Sequence, residues 1–270
     1  MERPAWAPHD IDISVPSVSR MYDYYLGGSH NFEVDREAAR RAMEFMPGLP
    51  TIMKANRAFM RRAVKYALAE GIGQFLDVGS GIPTYGNVHD VAQETAPGTR
   101  VVYVDRDPVA VSHSRAVLDG VPGAAVTAGD LKAPAELLAD PVVTGLLDLT
   151  RPVALLLVAV LHFIEDADEP QKAVAALRDA LAPGSLLILS HAGYEGVPVP
   201  RERTQGAVDV YRDIRSPIVL RSRDEVARFF DGFETVAPGL VAMSHWRPEI
   251  PPAQADPYAS SAFVGVGRKA

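Results

Sequence analysis

Two glycines, two residues apart, follow a short apolar run and could bind a nucleotide-like ligand. The stretch Phe75-Leu76-Asp77-Val78-Gly79-Ser80-Gly81 begins as a buried strand and ends in this turn. Because glycine has no β-carbon, a ligand can approach the main chain closely at Gly79 and Gly81. A helix is predicted to start at Thr84 or Asn87, and the free N–H groups at its first turn would suit an anion. Alone, this loop is a weak indication of a cofactor.

An acid at the end of the next predicted strand strengthens this interpretation. Asp105 directly follows the apolar run Val101–Val104 and comes 24 residues after Gly81. An acid at the tip of the second strand can accept hydrogen bonds from the hydroxyl groups of a ribose. Together the two motifs predict a cofactor that contains a nucleoside.

Composition limits the class of protein. The chain has 270 residues, 47% of them hydrophobic, a net charge of -7 and no cysteine. The negative charge disfavours a nucleic-acid partner, and the lack of cysteine excludes disulfides and cysteine nucleophiles. The longest apolar run, Val153–Leu161, is shorter than the roughly 20 residues that span a bilayer, and Met1–Asp12 has no signal-peptide character. We therefore expect a cytoplasmic protein with no membrane partner.

The first part of the chain predicts a leader and helices, which we assign to residues 1–72 as a cap. Apolar residues recur at helical spacing from Asp35 to Met46 and from Thr51 to Glu70. Arg20–Asn31 contains three tyrosines and a glycine pair. Two interpretations of this segment stay open, a helix packed on the core and a lid that closes over a ligand.

The rest of the chain, residues 73–270, predicts one compact α/β unit. Five strands, each followed by a helix, indicate a parallel sheet with helices on both faces. Ligands of such sheets bind at the carboxyl ends of the strands, and residues 191–203 would form a long loop at that edge. The predicted strands are 74–78, 101–104, 124–128, 153–160 and 185–190, with two closing strands at 233–241 and 261–266.

Two cofactors compete for this edge. A nicotinamide dinucleotide favours the pattern G-x-G-x-x-G, but the third glycine position holds Thr84. S-adenosylmethionine has no phosphates, so two glycines suffice, and Asp130 after the third strand could bind its adenine amino group. A final strand pair without an intervening helix adds the antiparallel edge typical of methyltransferases. The sequence therefore favours S-adenosylmethionine.

At this level of detail the chain resembles a known family. It is similar to the actinobacterial S-adenosylmethionine-dependent methyltransferases long catalogued as a domain of unknown function. The resemblance covers nearly the whole chain beyond the leader and implies a Rossmann-like class I methyltransferase fold with an N-terminal helical cap. We expect a mostly parallel, seven-stranded sheet with an antiparallel last strand. The motifs that carry the resemblance are Arg20-Met21-Tyr22-Asp23-Tyr24-Tyr25-Leu26-Gly27-Gly28 with Asn31-Phe32, Ala55-Asn56-Arg57-Ala58-Phe59, Phe75 to Thr84, Asn87-Val88-His89, Val102-Tyr103-Val104-Asp105 and Leu157-Val158-Ala159-Val160-Leu161-His162-Phe163.

The resemblance also implies which residues bind the cofactor. Those that match the general methyltransferase positions are Asp77, Gly79, Gly81, Asp105, Asp130 and Leu131. To these we add, from neighbouring strand ends and from the N-terminal motifs, Ser80, Arg106, Ala159, Tyr25, Asn31 and Arg57.

The methyl acceptor and the catalytic base are less defined. His162, at the end of the fourth strand, is the first candidate for a base, although it could instead cap the strand. His191 and Tyr194 are second candidates, and His245 with Trp246 could line an acceptor pocket. The histidines are too scattered to predict a metal site.

The nature of the acceptor is inferred mainly by elimination. The absence of an Asn-Pro-Pro-Tyr run after the fourth strand disfavours methylation of DNA bases or protein amides. We expect a small molecule with a hydroxyl or carboxyl group. The alternatives are a non-catalytic protein that binds S-adenosylmethionine and, less favoured, an NAD(P)-dependent oxidoreductase.

Overall fold

The structure is a computed structural model that describes residues 12–83 and 86–270, and these residues form one mixed sheet of eight strands. The strands are β1 (Gln74–Val78), β2 (Arg100–Asp105), β3 (Ala124–Ala128), β4 (Ala154–Val158), β5 (Leu186–Ala192), β6 (Phe233–Thr235), β7 (Val241–Ala242) and β8 (Ala262–Lys269). Their order across the sheet is β3-β2-β1-β4-β5-β8-β6, and β7 also pairs with β8.

The first five strands are parallel, and the last three add an antiparallel edge. β1 lies between β2 and β4, with Phe75 paired to Val101 on one side and to Ala154 on the other. β8 runs antiparallel to β5, β6 and β7. The strand order reverses between β1 and β4, which is the position where sheets of this kind bind their ligands.

The predicted number of seven strands was wrong. The single closing strand expected over 233–241 is divided into β6 and β7, because Pro238 lacks an N–H group and Gly239 takes a left-handed φ of +87°. β4 also ends two residues before the predicted boundary, since Ala159 has a φ of +56°. The other predicted strands agree with the structure to within a few residues.

The central strands are buried on both faces. In β4, Leu155 and Leu157 belong to one apolar cluster, and Ala154 and Leu156 belong to the other. All four side chains are fully buried. This explains why the strand is a continuous apolar run, as expected for a parallel strand covered by helices on both faces.

Ten α-helices surround the sheet in the described residues. They are α1 (Val18–Tyr25), α2 (Glu33–Phe45), α3 (Leu49–Ala69), α4 (Val88–Thr95), α5 (Pro108–Val117), α6 (Pro134–Ala139), α7 (Pro141–Leu146), α8 (Pro170–Ala180), α9 (Arg201–Asp213) and α10 (Arg223–Ala227). None of them combines the length and apolar character needed to cross a membrane.

The first three helices form the predicted cap. α1 packs against α2 and α3, α2 contacts α9, and α3 contacts α4 and the ends of β4 and β5. The division of the chain at residue 72 remains a prediction.

Helix α9 was not predicted. The sequence indicated a loop over 191–203, and the chain is irregular only from Gly193 to Pro200 before α9 begins. The first turns of α9 are mostly polar, which hides the helical spacing of Thr204, Ala207, Val208 and Tyr211.

Candidate functional site

The glycine turn after β1 is tied to the end of β2. The N–H groups of Gly79 and Ser80 both donate to the carbonyl of Val104, at 2.8 and 3.2 Å. The Gly81 N–H donates to Oδ2 of Asp105 at 2.7 Å. Gly79 and Gly81 have left-handed φ values of +75° and +68°, which glycine adopts without strain. The two sequence motifs are therefore in direct contact.

Asp105 organises this turn as well as facing the cavity. Its Oδ1 accepts the N–H of Asp107 at 2.8 Å, so each carboxylate oxygen holds one backbone donor. The side chain is 5% exposed, and burial raises the pKa of the carboxyl to about 6.

The carboxyl ends of the strands enclose a cavity of about 680 Å³. Eleven of the thirteen predicted site residues line it, which brings together positions separated by more than a hundred residues in the chain. They are Arg57, Asp77, Gly79, Ser80, Gly81, Asp105, Arg106, Asp130, Leu131, Ala159 and His162.

Part of the cavity wall carries buried polar atoms that make no hydrogen bond to the described residues. These atoms are Oδ1 of Asn56, Nε of Arg57 and Oγ of Ser80. Asp77 is 5% exposed, and burial raises the pKa of its carboxyl to about 7, although the charge of Arg57 opposes this shift. Buried groups of this kind are costly unless a ligand satisfies them. A ligand that carries both a cationic and an anionic group, such as an amino acid, would do so.

Ala159 marks the end of β4 with strained backbone. It holds a φ of +56°, and its N–H donates to Oγ of Ser190 at 2.9 Å. A β-carbon on Gly79 would lie 2.4 Å from Cγ2 of Val160. Strained, closely packed backbone of this kind is typical of ligand sites.

Both ring nitrogens of His191 contact polar protein atoms. Its Nε2 lies 2.9 Å from Nη1 of Arg221, and its Nδ1 lies 2.7 Å from the carbonyl of Ala192. Because arginine can only donate, Nε2 accepts and Nδ1 carries the proton. Burial lowers the pKa of His191 to about 4. Both ring nitrogens are engaged, which leaves no lone pair for a base in this arrangement.

Arg221 makes several contacts beside His191. It is 3% exposed and donates to the carbonyls of Leu161 and Ile164 at 3.1 and 2.9 Å. It also pairs with Asp166 at 2.6 Å. The turn after β4 and the end of β5 are therefore held together by one side chain.

His162 is also neutral, and its Nε2 makes no hydrogen bond to the described residues. Burial, with the nearby Arg221 and His191, lowers its pKa well below the ordinary value. Its Nδ1 accepts a long hydrogen bond, 3.4 Å, from the N–H of Ala192. In that tautomer Nε2 carries the proton and can donate a hydrogen bond. To act as the predicted base, the ring would have to take the other tautomer.

The second-choice residues lie outside the cavity wall, except His191. Tyr194 is 39% exposed, with the guanidinium of Arg201 over its ring at 4.6 Å. Trp246 is fully buried between Phe59 and Tyr66. Neither Trp246 nor its neighbour His245 lines the cavity.

Tyr25 and Asn31 do not line the cavity either. The Tyr25 hydroxyl lies 3.1 Å from that of Tyr211. The Asn31 amide donates to the carboxylate of Asp23 and to the carbonyl of Gly28, at 2.8 and 3.0 Å. Their sequence motif therefore shapes the cap, and their role in cofactor binding remains a prediction.

The residues 20–31 are fastened to their surroundings. Arg20 forms a buried ion pair with Asp35 at 2.9 Å, and the Asn56 amide donates to the Tyr22 hydroxyl at 3.0 Å. These contacts favour the interpretation of a helix that stays in place rather than that of a lid. We expect the amides of this segment to exchange slowly in hydrogen-exchange measurements, both with and without cofactor. Fast exchange that slows only when cofactor is added would instead support the lid.

The role of Asp105 can be tested by binding. Asp105→Ala removes the acceptor for two backbone N–H groups and, as we predict, for the ribose of the cofactor. We expect the affinity for S-adenosylmethionine to fall by about 1–3 kcal/mol in calorimetry. Asp140→Ala is a matched control, because Asp140 also accepts a backbone N–H, from Val142, but lies outside the cavity. Equal affinity of wild type and Asp105→Ala would contradict the assignment.

The fold and this site define a Rossmann-like class I methyltransferase. A family model for the S-adenosyl methyltransferases matches residues 4–270, and the chain belongs to this family. It is therefore an S-adenosylmethionine-dependent methyltransferase.

Two solved structures are similar over nearly their full length. One is a DUF574 family protein from Streptomyces avermitilis MA-4680, 37% identical, with a TM-score of 0.90, and the match covers 96% of this chain and 99% of the other. The other is a candidate methyltransferase from Thermobifida fusca YX, 39% identical, with a TM-score of 0.92 and coverage of 98% and 99%. A search of curated proteins finds no match to this chain.

Proposed function

We propose that the protein transfers a methyl group from S-adenosylmethionine to a small-molecule acceptor inside this cavity. The observation that carries the proposal is a cavity of about 680 Å³ that joins the glycine turn to the ends of β4 and β5, near which His162 lies. Helices α1, α3 and α9 cover it, which leaves room for a small molecule and disfavours a nucleic acid. We place this activity in the cytoplasm.

The residues around the glycine turn fit the cofactor. Asp77 and Oδ1 of Asn56 would face the α-ammonium group, and Arg57 would face the α-carboxylate, because these groups have the matching charge or lone pair, and Oδ1 of Asn56 and Nε of Arg57 make no hydrogen bond to the described residues. This assignment explains why the cap contributes residues to the site.

The remaining positions follow the order of the strands. Asp105 at the end of β2 would bind the ribose hydroxyls. Asp130 and Leu131, which follow β3, would bind the adenine, with Arg106 beside it.

Methyl transfer itself requires little covalent chemistry from the protein. When bound, the cofactor supplies an electrophilic methyl group on a sulfonium. The cavity would hold the acceptor in line with that group and exclude water. For a hydroxyl acceptor a base must take the proton, and His162 is the candidate, with the tautomer change described above. Where the acceptor arrives ionised, His162 would act as a hydrogen-bond donor.

The test separates the three interpretations. Calorimetry with S-adenosylmethionine and with NADH distinguishes a methyltransferase from an oxidoreductase, and we expect binding of the first only. Incubation of the protein and labelled S-adenosylmethionine with a metabolite extract should then transfer label to a small molecule. If S-adenosylmethionine binds but its methyl group is not transferred and the cofactor is not slowly hydrolysed, the protein is non-catalytic. Binding of NADH alone would overturn the proposal.

A further inference from the structure

We call the lining residues from Val158 to Ala262, together with the apolar face of α3, the second half of the cavity wall, and helices α9 and α3 both contribute to it. α9 contributes Thr204, Ala207, Val208 and Tyr211, which lie on one helical face. α3 contributes an apolar face that includes Ile52. The other apolar residues in this part of the wall are Leu49, Met53, Met60, Phe163, Val197, Ile214, Ile218 and Leu220.

Acidic side chains are confined to the other half. The lining carboxylates in the described part of the chain are Asp12, Asp77, Asp105, Asp107 and Asp130. All of them precede β4. From Val158 to Ala262 the described lining residues include no aspartate or glutamate, and the one cation among them is the exposed Arg215.

The polar groups in this half are uncharged. His162 and His191 are neutral, as argued above. Burial raises the pKa of the Tyr211 phenol to about 12, so it keeps its proton. Oγ of Ser261 is buried, and Ser261 lines the cavity; within residues 12–83 and 86–270 this oxygen has no hydrogen-bond partner. An unsatisfied hydroxyl in an apolar wall indicates that a ligand supplies its partner.

We propose that this half is the acceptor subsite and that it takes a neutral, largely apolar molecule carrying one hydroxyl, held by His162 and Ser261. The inference rests on the proposed function and specifies its substrate class. A cationic amine would lose its hydration here with no lining carboxylate to offset the loss, and an anion would find only the exposed Arg215 among the lining residues from Val158 to Ala262. Apolar walls with a few polar groups are typical of small-molecule sites.

Three probes of the same size and different charge test this assignment. They are 2-naphthol, which is neutral, 2-naphthoate, and the 2-naphthylmethylammonium ion. Each is titrated by calorimetry into protein saturated with S-adenosylhomocysteine at neutral pH. We expect 2-naphthol to bind at least about tenfold more tightly than the cation, and more tightly than the anion.

A charge placed in the wall should change this preference. Val208 is half-buried on the cavity face of α9. Val208→Asp should bind the cation at least about tenfold more tightly than wild type does. Val208→Asn introduces a side chain of the same shape as aspartate but without the charge. This variant should keep the wild-type order of affinities for the three probes.

The outcomes are distinct. If the cation binds wild type as tightly as 2-naphthol, or if none of the probes binds the protein saturated with S-adenosylhomocysteine, the inference is overturned while the proposed function stands. If S-adenosylhomocysteine itself does not bind, the proposed function fails and the inference with it.

Discussion

Gly81→Val should abolish S-adenosylmethionine binding and leave the fold largely intact. Gly81 has a φ of +68°, and, its chain neighbours aside, no atom of the described residues lies within 4 Å of the position that a β-carbon would take. The valine side chain would therefore extend into space where we place the cofactor. We expect the affinity in calorimetry to fall by at least about a hundredfold. The left-handed backbone should cost about 1–2 kcal/mol of stability.

A second glycine provides the control. Gly120 has a φ of +74° and equally open surroundings, but it lies outside the cavity. Gly120→Val should lose a similar amount of stability in denaturant unfolding and keep wild-type affinity. If Gly81→Val binds normally, the glycine turn is only a connection between β1 and α4.

Asp77→Asn should make the cofactor-free protein more stable at alkaline pH. The pKa of the Asp77 carboxyl is raised from 3.8 to about 7 by burial. The folded state therefore binds the proton more tightly than the unfolded state, so the free energy of unfolding falls as the pH rises from about 4 to about 7. Asparagine avoids this ionisation. Above about pH 7 we expect the free energy of unfolding of the variant to exceed that of wild type by about 1–4 kcal/mol.

The gain should vanish in acid, where Asp77 is protonated in both states. Denaturant unfolding of wild type and variant at several pH values measures this difference. A variant that is less stable than wild type at alkaline pH would contradict the prediction.

The same substitution should weaken cofactor binding. The α-ammonium group that we place near Asp77 favours the ionised carboxylate, so binding to wild type should release a proton below about pH 7. Calorimetry in two buffers of different ionisation enthalpy measures that release. Asp77→Asn should bind more weakly and release correspondingly fewer protons, whereas equal release from both proteins would place the ammonium group elsewhere.

The parts of the site that the sequence predicted depend on local patterns. The strand before Gly79, the glycine turn and Asp105 at the end of β2 are readable because strand order and turn chemistry place them at one edge. Arg57 was added to the predicted site from the N-terminal family motifs. These residues line the cavity because the sheet brings its strand ends together.

The rest depends on contacts between distant parts of the chain. Tyr25 meets Tyr211 across the cap, and the tautomer of His191 depends on Arg221, 30 residues further along the chain. The division of the closing strand depends on two residues, Pro238 and Gly239. Helix α9 was missed because its surface is polar and its apolar face is narrow.

The placement of α9 has a consequence for how such proteins could diversify. This helix supplies much of the wall around the proposed acceptor, while the glycine turn and Asp105 lie on other elements. Substitutions along one face of a single surface helix could therefore alter which molecule is methylated without disturbing the cofactor. Relatives that share the sheet and its motifs could differ in their acceptors through this one segment.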